Sequence, residues 1–186
     1  MPSLLTVPVG SRDHVRGPTS ARVTLVEYGD FECPQCGAAR PIIARVADTF
    51  GDQLRFVFRH FPLTNTHPHA QRAAEGAEWA SALNAFWPMH EALYAAQTSL
   101  SDRRMLELAA ELRLTAADLE RAWAAHTFIP RVKEDFASGL ASGVTGTPSF
   151  FINGVRHDGG WDELSLSHAI EAALKDGGAA SSRSQR

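Results

Sequence analysis

The sequence predicts an α/β chain: a central mixed β-sheet flanked by helices and interrupted by an all-α helical insertion. Residues 22–61 read as strand, helix, strand, and residues 148–175 read as strand, strand, helix. Neither half has enough strands to bury a sheet alone, so both must share one. Between them, alanine-rich segments show helical spacing and no strand signal. The expected boundaries are an N-terminal arm at 1–18, a discontinuous domain at 19–66 and 141–176, the insertion at 67–140, and a disordered tail at 177–186.

Each element has a local reason. Scattered Pro, Gly, Ser and His without period make 1–18 a loose lead-in ending at Gly17-Pro18. Val23-Thr24-Leu25-Val26-Glu27-Tyr28 is a β-branched run that reads as a buried strand. A helix over 38–50 carries Ile42, Ile43, Val46 and Phe50 at helical spacing, with Pro41 expected to kink it. The run Leu54 to Phe61 is the second strand, and a right-handed crossover makes the two parallel.

In the insertion, helices are expected over 70–83 and 85–97. A third is capped by Ser101, and a fourth opens with a Thr115/Asp118 capping box. A fifth starts near Pro130. Asn153-Gly154 between Ser149-Phe150-Phe151-Ile152 and Val155-Arg156-His157 is a strong hairpin signal, because both turn residues take positive φ. A last helix over 162–175 is expected to stop at Gly177-Gly178.

A chain of 186 residues, 44% hydrophobic and 21% charged, supports one buried core. Its net charge of −3 gives no basic surface to attract nucleic acid or an anionic membrane. No apolar run approaches the roughly 18 residues needed to span a bilayer. No signal-peptide pattern opens the chain, so the expected address is cytoplasmic, or exported if a leader was removed. A monomer is expected.

Cys33 and Cys36 are the only cysteines, set as Phe31-Glu32-Cys33-Pro34-Gln35-Cys36-Gly37 at a strand-to-helix junction. Closing so small a loop stabilises a fold little, so the pair reads as catalytic or metal-binding instead of as a staple. Thiol–disulfide exchange needs a thiolate, and a helix N-terminus favours one.

The chain resembles the DsbA-like branch of the thioredoxin superfamily, a thioredoxin fold with a helical insertion. Three segments carry the resemblance: E-Y-G-D-F-E-C-P-Q-C at 27–36, F-R-H-F-P-L at 58–63, and G-V-T-G-T-P-S-F-F-I-N-G at 143–154. It implies a thiol–disulfide oxidoreductase with no cofactor beyond its own Cys33–Cys36 disulfide. Cys33 would be the exposed nucleophile and Cys36 the buried resolving thiol. Pro148 would be the cis-proline beside them, and Thr147, Pro34 and Gln35 would meet an extended substrate. Glu27 would be the buried acid that carries the proton of Cys36. Partners would be protein or peptide thiols and disulfides, glutathione, or another thioredoxin-like protein.

Gln35 brings no positive charge, and Glu32 beside Cys33 opposes a thiolate. A milder oxidant is therefore expected than DsbA at about −120 mV, nearer about −180 to −270 mV. Three other readings compete. Zinc could be held by the cysteines with His60, His67 or His69. A glutathione-dependent isomerase or kappa-type transferase shares the fold, although it needs no resolving thiol such as Cys36. A binder of unfolded chains could use a groove at Pro62-Leu63 and Phe86-Trp87. The blander expectations are that His67 and His69 are surface residues, that His90, His126 and His157 are ordinary, and that Trp79, Trp87 and Trp123 anchor the core. Arg59 could face Glu27 if the strand alternation allows it.

Overall fold

The fold is that of a computed structural model describing residues 3–183. Twelve principal elements follow in chain order: β1 (His14–Arg16), β2 (Val23–Gly29), α1 (Pro34–Phe50), β3 (Leu54–His60), α2 (Ala70–Ala82), α3 (Phe86–Ala95), α4 (Asp102–Glu111), α5 (Ala116–Ala124), α6 (Ile129–Ala141), β4 (Ser149–Ile152), β5 (Val155–His157) and α7 (Glu163–Arg183). They form a thioredoxin fold with a helical insertion. The five strands make one sheet in the order β1-β3-β2-β4-β5. β2 and β3 are parallel, and the remaining pairs are antiparallel.

Alternation along the strands sorts side chains to two cores. Val23 and Leu25 of β2, Phe56 and Phe58 of β3, and Phe150 and Ile152 of β4 pack with both cysteines, α1, α7 and the insertion. On the other face, Val26, Tyr28, Val57, Phe61 and Phe151 pack with Val144 and with partly buried Val9, Val15 and Phe136. Burial of side chains such as Phe58 and Phe151 contributes roughly 1.5–3 kcal/mol each, which holds β2 rigid at the sheet centre. Glu27 lies on the cysteine face of that strand, in register with Phe58 and Phe150.

Four local expectations are corrected. The arm is not loose: β1 pairs with β3, Leu4 bridges to Val155, and Asp13 forms a buried bidentate pair with Arg59 at 2.7 and 3.0 Å. Three-residue strands are too short to show a period, so the sequence hid this one. Arg59 points away from Glu27, because its alternation places it on the second face; its guanidinium also donates to Tyr28 Oη, Val7 O and Pro8 O. Thr115 caps α5 without a side-chain hydrogen bond, whereas the Ser101 hydroxyl accepts from Arg104 N at the start of α4. Helix α7 continues through Gly177 and Gly178 to Arg183. Glycine in a helix costs only about 1 kcal/mol relative to alanine and ends a helix only when it turns left-handed. The rest of the tail expectation, at 184–186, lies outside the described residues.

Helix α6 approaches the second core through Gly139, where an added Cβ would lie 2.7 Å from Phe61 and 3.0 Å from Tyr28. Both rings are fully buried and cannot retreat. Gly139→Ala is expected to lower stability by about 1–3 kcal/mol, measured as a lower urea midpoint with unchanged slope.

Candidate active site

Helix α1 begins at the cysteine motif itself. Cys33 is the N-cap in extended conformation, and Pro34 occupies the first turn, where its missing N–H costs nothing. No side-chain oxygen caps this helix, so the sulfur of Cys33 is left to meet the free amides of Gln35 and Cys36. Pro41 sits inside α1 two turns later. The carbonyls of Phe31 and Cys33 both accept from Gln97 Nε2, at 2.9 and 2.8 Å. That contact explains Gly37: a Cβ there would lie 2.2 Å from Gln97 Oε1.

Across from the helix start, the peptide bond between Thr147 and Pro148 is cis, and the Thr147 carbonyl accepts from the Cys33 thiol at 3.3 Å. Gln35 Oε1 accepts from the same thiol at 3.1 Å. These two groups cover the sulfur, so Cys33 is only 3% exposed and Cys36 1%. The expectation of an exposed nucleophile is corrected: Cys33 sits beneath Gln35 and the Thr147-Pro148 loop, while Pro34 and Gln35 are themselves exposed. Both thiols are free.

The electrostatics split the pair. The thiol of Cys36 donates to Cys33, and against the cost of burial the Thr147 hydroxyl and the Cys36 and Gln35 amides add to it; together they push the Cys33 thiol down to about 5. Thr147 Oγ1 is buried with no partner while Cys33 is a thiol, which leaves it free to donate to the thiolate. Cys36 moves the opposite way, well above an ordinary thiol, through burial, its donation to Cys33, and the charges of Glu27 and Cys33. Glu27 is 2% exposed, and burial together with the Cys33 charge pushes its carboxyl up to about 8. One buried acid, one low thiol and one high thiol therefore share the same pocket.

The loop before α2 contributes two groups that sequence reasoning missed. Asp30 accepts from Glu32 N through Oδ1 and from Leu63 N through Oδ2, and its Oδ2 lies 2.7 Å from His67 Nδ1. Burial works against charge on His67, but Asp30 overrides it, with Cys33 and Glu32 adding, so its pKa is raised. Glu32 accepts from His69 N and pairs with His69 Nδ1 at 2.8 Å. The two histidines are thus bound to the residues flanking Cys33 and are not free surface groups. Glu32 beside Cys33 is thus tied to His69 through both of its carboxylate oxygens. The available signal was two histidines and two acids at matching offsets, Asp30/Glu32 and His67/His69.

The histidines proposed as zinc partners are engaged away from the sulfurs. His60 Nε2 lies 2.9 Å from Glu78 Oε1, which also meets His14 Nε2 at 2.7 Å. These three form the one group of potential metal ligands among the described residues, and it contains no cysteine. Arg131 Nε stands 3.8 Å from the same Glu78 oxygen, and the cluster ties arm, sheet and insertion together. The suggested groove is not formed: Phe86 is buried against His14 with ring centroids 3.4 Å apart, and Leu63 packs on the opposite side of the sheet. Trp79 and Trp123 are buried, and Trp87 is partly so, donating to Val15 O. His90 is buried and lacks hydrogen bonds at both ring nitrogens, so it is not an ordinary surface histidine.

The thioredoxin family model matches residues 10–172, most of the chain and all of the site just described. The chain belongs to the thioredoxin family. Its solved structural neighbours have the DsbA-like form of the fold. Oxidised BdbD from Bacillus subtilis superposes with a TM-score of 0.80 at 24% identity, covering 88% of this chain and 93% of that one. Wolbachia pipientis α-DsbA1 gives 0.77 at 19% identity over 93% and 96% of the two chains. A thioredoxin-like oxidoreductase from Silicibacter pomeroyi gives 0.74 at 26% identity, also over 93% and 96%. Among curated relatives, a protein named Na(+)/H(+) antiporter NhaA 1 from Salinispora arenicola is 46% identical over 171 residues, 91% of this chain but 26% of its own length. One named Na(+)/H(+) antiporter NhaA from Herminiimonas arsenicoxydans is 40% identical over 179 residues, covering 94% and 28%. The thioredoxin-family chain therefore spans about a quarter of the length of these relatives.

Proposed function

We propose that the chain is a DsbA-like protein thiol–disulfide oxidoreductase whose redox group is its own Cys33–Cys36 pair. The observation that carries this reading is the opposed pair of thiols at the start of α1, one pushed down to about 5 and the other up, beside the cis Thr147-Pro148 bond. A low thiol attacks and leaves readily, and a high one stays protonated until it is needed.

In the reducing direction, the Cys33 thiolate attacks one sulfur of a substrate disulfide, and the other substrate sulfur leaves as a thiolate. Cys36 then gives its proton to the Glu27 carboxylate, and its sulfur attacks Cys33. The second substrate thiolate departs and the Cys33–Cys36 disulfide remains. Oxidation of a substrate dithiol is the reverse, with Glu27 returning the proton to Cys36. Thr147 and Pro148 offer backbone beside the sulfur for an extended protein or peptide segment, with Pro34 and Gln35 on the other lip. The compartment sets the direction: in a cytoplasmic setting, glutathione or a thioredoxin-like partner would keep the pair reduced, and an exported form would oxidise.

The proteins named as antiporters are much longer than this chain. Among its described residues no helix is long and apolar enough to cross a membrane. The reading rests on the cysteine site and not on those names.

Equilibration with reduced and oxidised glutathione, followed by acid quench and thiol trapping, tests the proposal. A reversible two-electron couple is expected, and inert or zinc-loaded thiols would refute it. In the reduced protein, thiolate absorbance near 240 nm is expected to rise with a midpoint near pH 5, far below the ordinary cysteine value of about 8.5.

A further inference from the structure

Glu27 faces a second opening that the exchange mechanism does not use. A cavity of about 500 Å³ runs between α1 and α3 to this carboxyl. Its walls include Pro41, Ala44 and Ala47 of α1, Phe56 of β3, and His90, Glu91 and Tyr94 of α3, but neither cysteine, Gln35, Thr147 nor Pro148. It therefore approaches Glu27 from behind, away from the lip where substrate meets Cys33.

The polar atoms along this cavity lack partners. Glu27 Oε1, Tyr94 Oη, both ring nitrogens of His90 and Arg40 Nε are buried without a hydrogen bond. Buried polar groups left unpaired cost about 1–3 kcal/mol each, and although most of the wall is apolar, a space of this size beside several such atoms accommodates water that can satisfy more than one of them. His90 and Tyr94 lie one helical turn apart on α3, with ring centroids 5.0 Å from one another. Toward solvent, His90 Nδ1 lies 3.4 Å from Glu91 Oε1. Glu91 is held at the rim by Arg40 and, at 3.0 Å, by Arg16, all three partly exposed.

We propose that this cavity is the proton route of Glu27, a hydrated path through Tyr94 and His90 to the Arg16–Glu91–Arg40 rim. The inference deepens the oxidoreductase reading above and rests on it. During the mixed disulfide, substrate covers Cys33 and closes the front. The proton that Glu27 takes from Cys36 must then leave by another way, and in the opposite direction one must arrive. Each turnover moves one proton between Glu27 and bulk water, with water as the only carrier needed.

The surrounding charges suit such traffic. Groups that titrate or carry charge and face Glu27 are Cys33 at the N-cap of α1, Cys36 and Arg40 from α1, His90, Glu91 and Tyr94 from α3, and Arg16 from β1, while β3 and β4 oppose it with Phe58 and Phe150. Burial pushes His90 down to about 4, so near neutrality it is an uncharged ring with one donor and one acceptor, as a relay needs. Consumption of the Cys33 thiolate removes the charge that helps to raise Glu27, so formation of the mixed disulfide itself favours release of the Glu27 proton.

The test uses single-turnover reduction of the full chain's disulfide by dithiothreitol, followed from pH 5 to 9 in dilute buffer. Ala44→Leu with Ala47→Leu narrows the mouth on α1 without touching a reacting group, and Tyr94→Phe removes one relay hydroxyl. Both are expected to slow the proton-linked step about tenfold or more and to shift its pH profile, with the glutathione equilibrium unchanged. Formate, a small proton carrier, is expected to restore the rate of Tyr94→Phe. Wild-type rates and pH profiles in both variants, with an intact glutathione couple, would overturn the route alone. Absence of a reversible couple in the wild type would overturn the oxidoreductase reading and the route with it.

Discussion

Replacing Cys36 with serine is expected to stop turnover at a mixed disulfide between Cys33 and its substrate. Cys33 keeps its helix N-terminus, the Gln35 and Cys36-position amides and the Thr147 hydroxyl, so the first attack survives. The largest single contribution lowering its pKa is the thiol of Cys36, and a serine hydroxyl donates in the same place, so the thiolate persists. What is lost is the sulfur that would displace the substrate. Incubation with a disulfide-containing peptide and non-reducing mass spectrometry should show one stoichiometric adduct, released by dithiothreitol. Cys33→Ser should give none. Multiple turnovers by Cys36→Ser at the wild-type rate would contradict the assignment of Cys36 as the resolving thiol.

The second large effect is expected from Glu27→Gln. An amide of the same shape cannot take the proton of Cys36, and loss of general acid–base help typically costs about 10²–10⁴-fold in rate. The resolution step should slow by an amount in this range, and the limb that Glu27 gives its pH profile, which lies below 8 once the mixed disulfide has removed the Cys33 charge, should vanish. Stability should move the other way. With a folded value near 8 against an ordinary 4.5, the folded state holds a proton that the unfolded chain releases between those values. Stability contributed by this group therefore falls as pH rises from about 4.5 to 8, by an amount on the order of 5 kcal/mol. Cys33 acts oppositely in the reduced protein: folded near 5 against 9.0, it adds stability as pH rises through that window and loses it as pH falls through 5. The wild type should thus show a flattened profile and Glu27→Gln a rising one, measured by urea unfolding of the reduced proteins from pH 4 to 9. Matching profiles would contradict the raised carboxyl.

Most of this architecture was legible in the chain because its signals are local. The Asn153-Gly154 turn takes φ of 48° and 80° as the hairpin demands, and the β-branched run at 23–28 became the central strand. The motif segments at 27–36 and 143–154 likewise meet at the start of α1. What stayed hidden depends on contacts far apart in sequence. Strand β1 has three residues and is fixed by Asp13 finding Arg59 across the sheet, which no period announces. The pairing of His67 with Asp30 and His69 with Glu32 crosses 37 positions, so Glu32 looked like a lone anion. His90 seemed ordinary because its neighbours, Tyr94 and Glu91, acquire meaning only when α3 is laid beside Glu27.

The sheet's two outer strands have a consequence for which partners can dock. β1 and β5 are three residues each, one closed down by the Asp13–Arg59 pair and the other leading into the loop at Asp158. Short borders offer little template for another chain to zip onto, which guards against edge-to-edge aggregation. They also channel choice: on the proposed reading, an unfolded client in extended form would meet scarce free ladder at the rims, while the Thr147-Pro148 segment lies directly beside the sulfur of Cys33. On the oxidoreductase reading proposed above, client binding would thereby be confined to the place where exchange occurs.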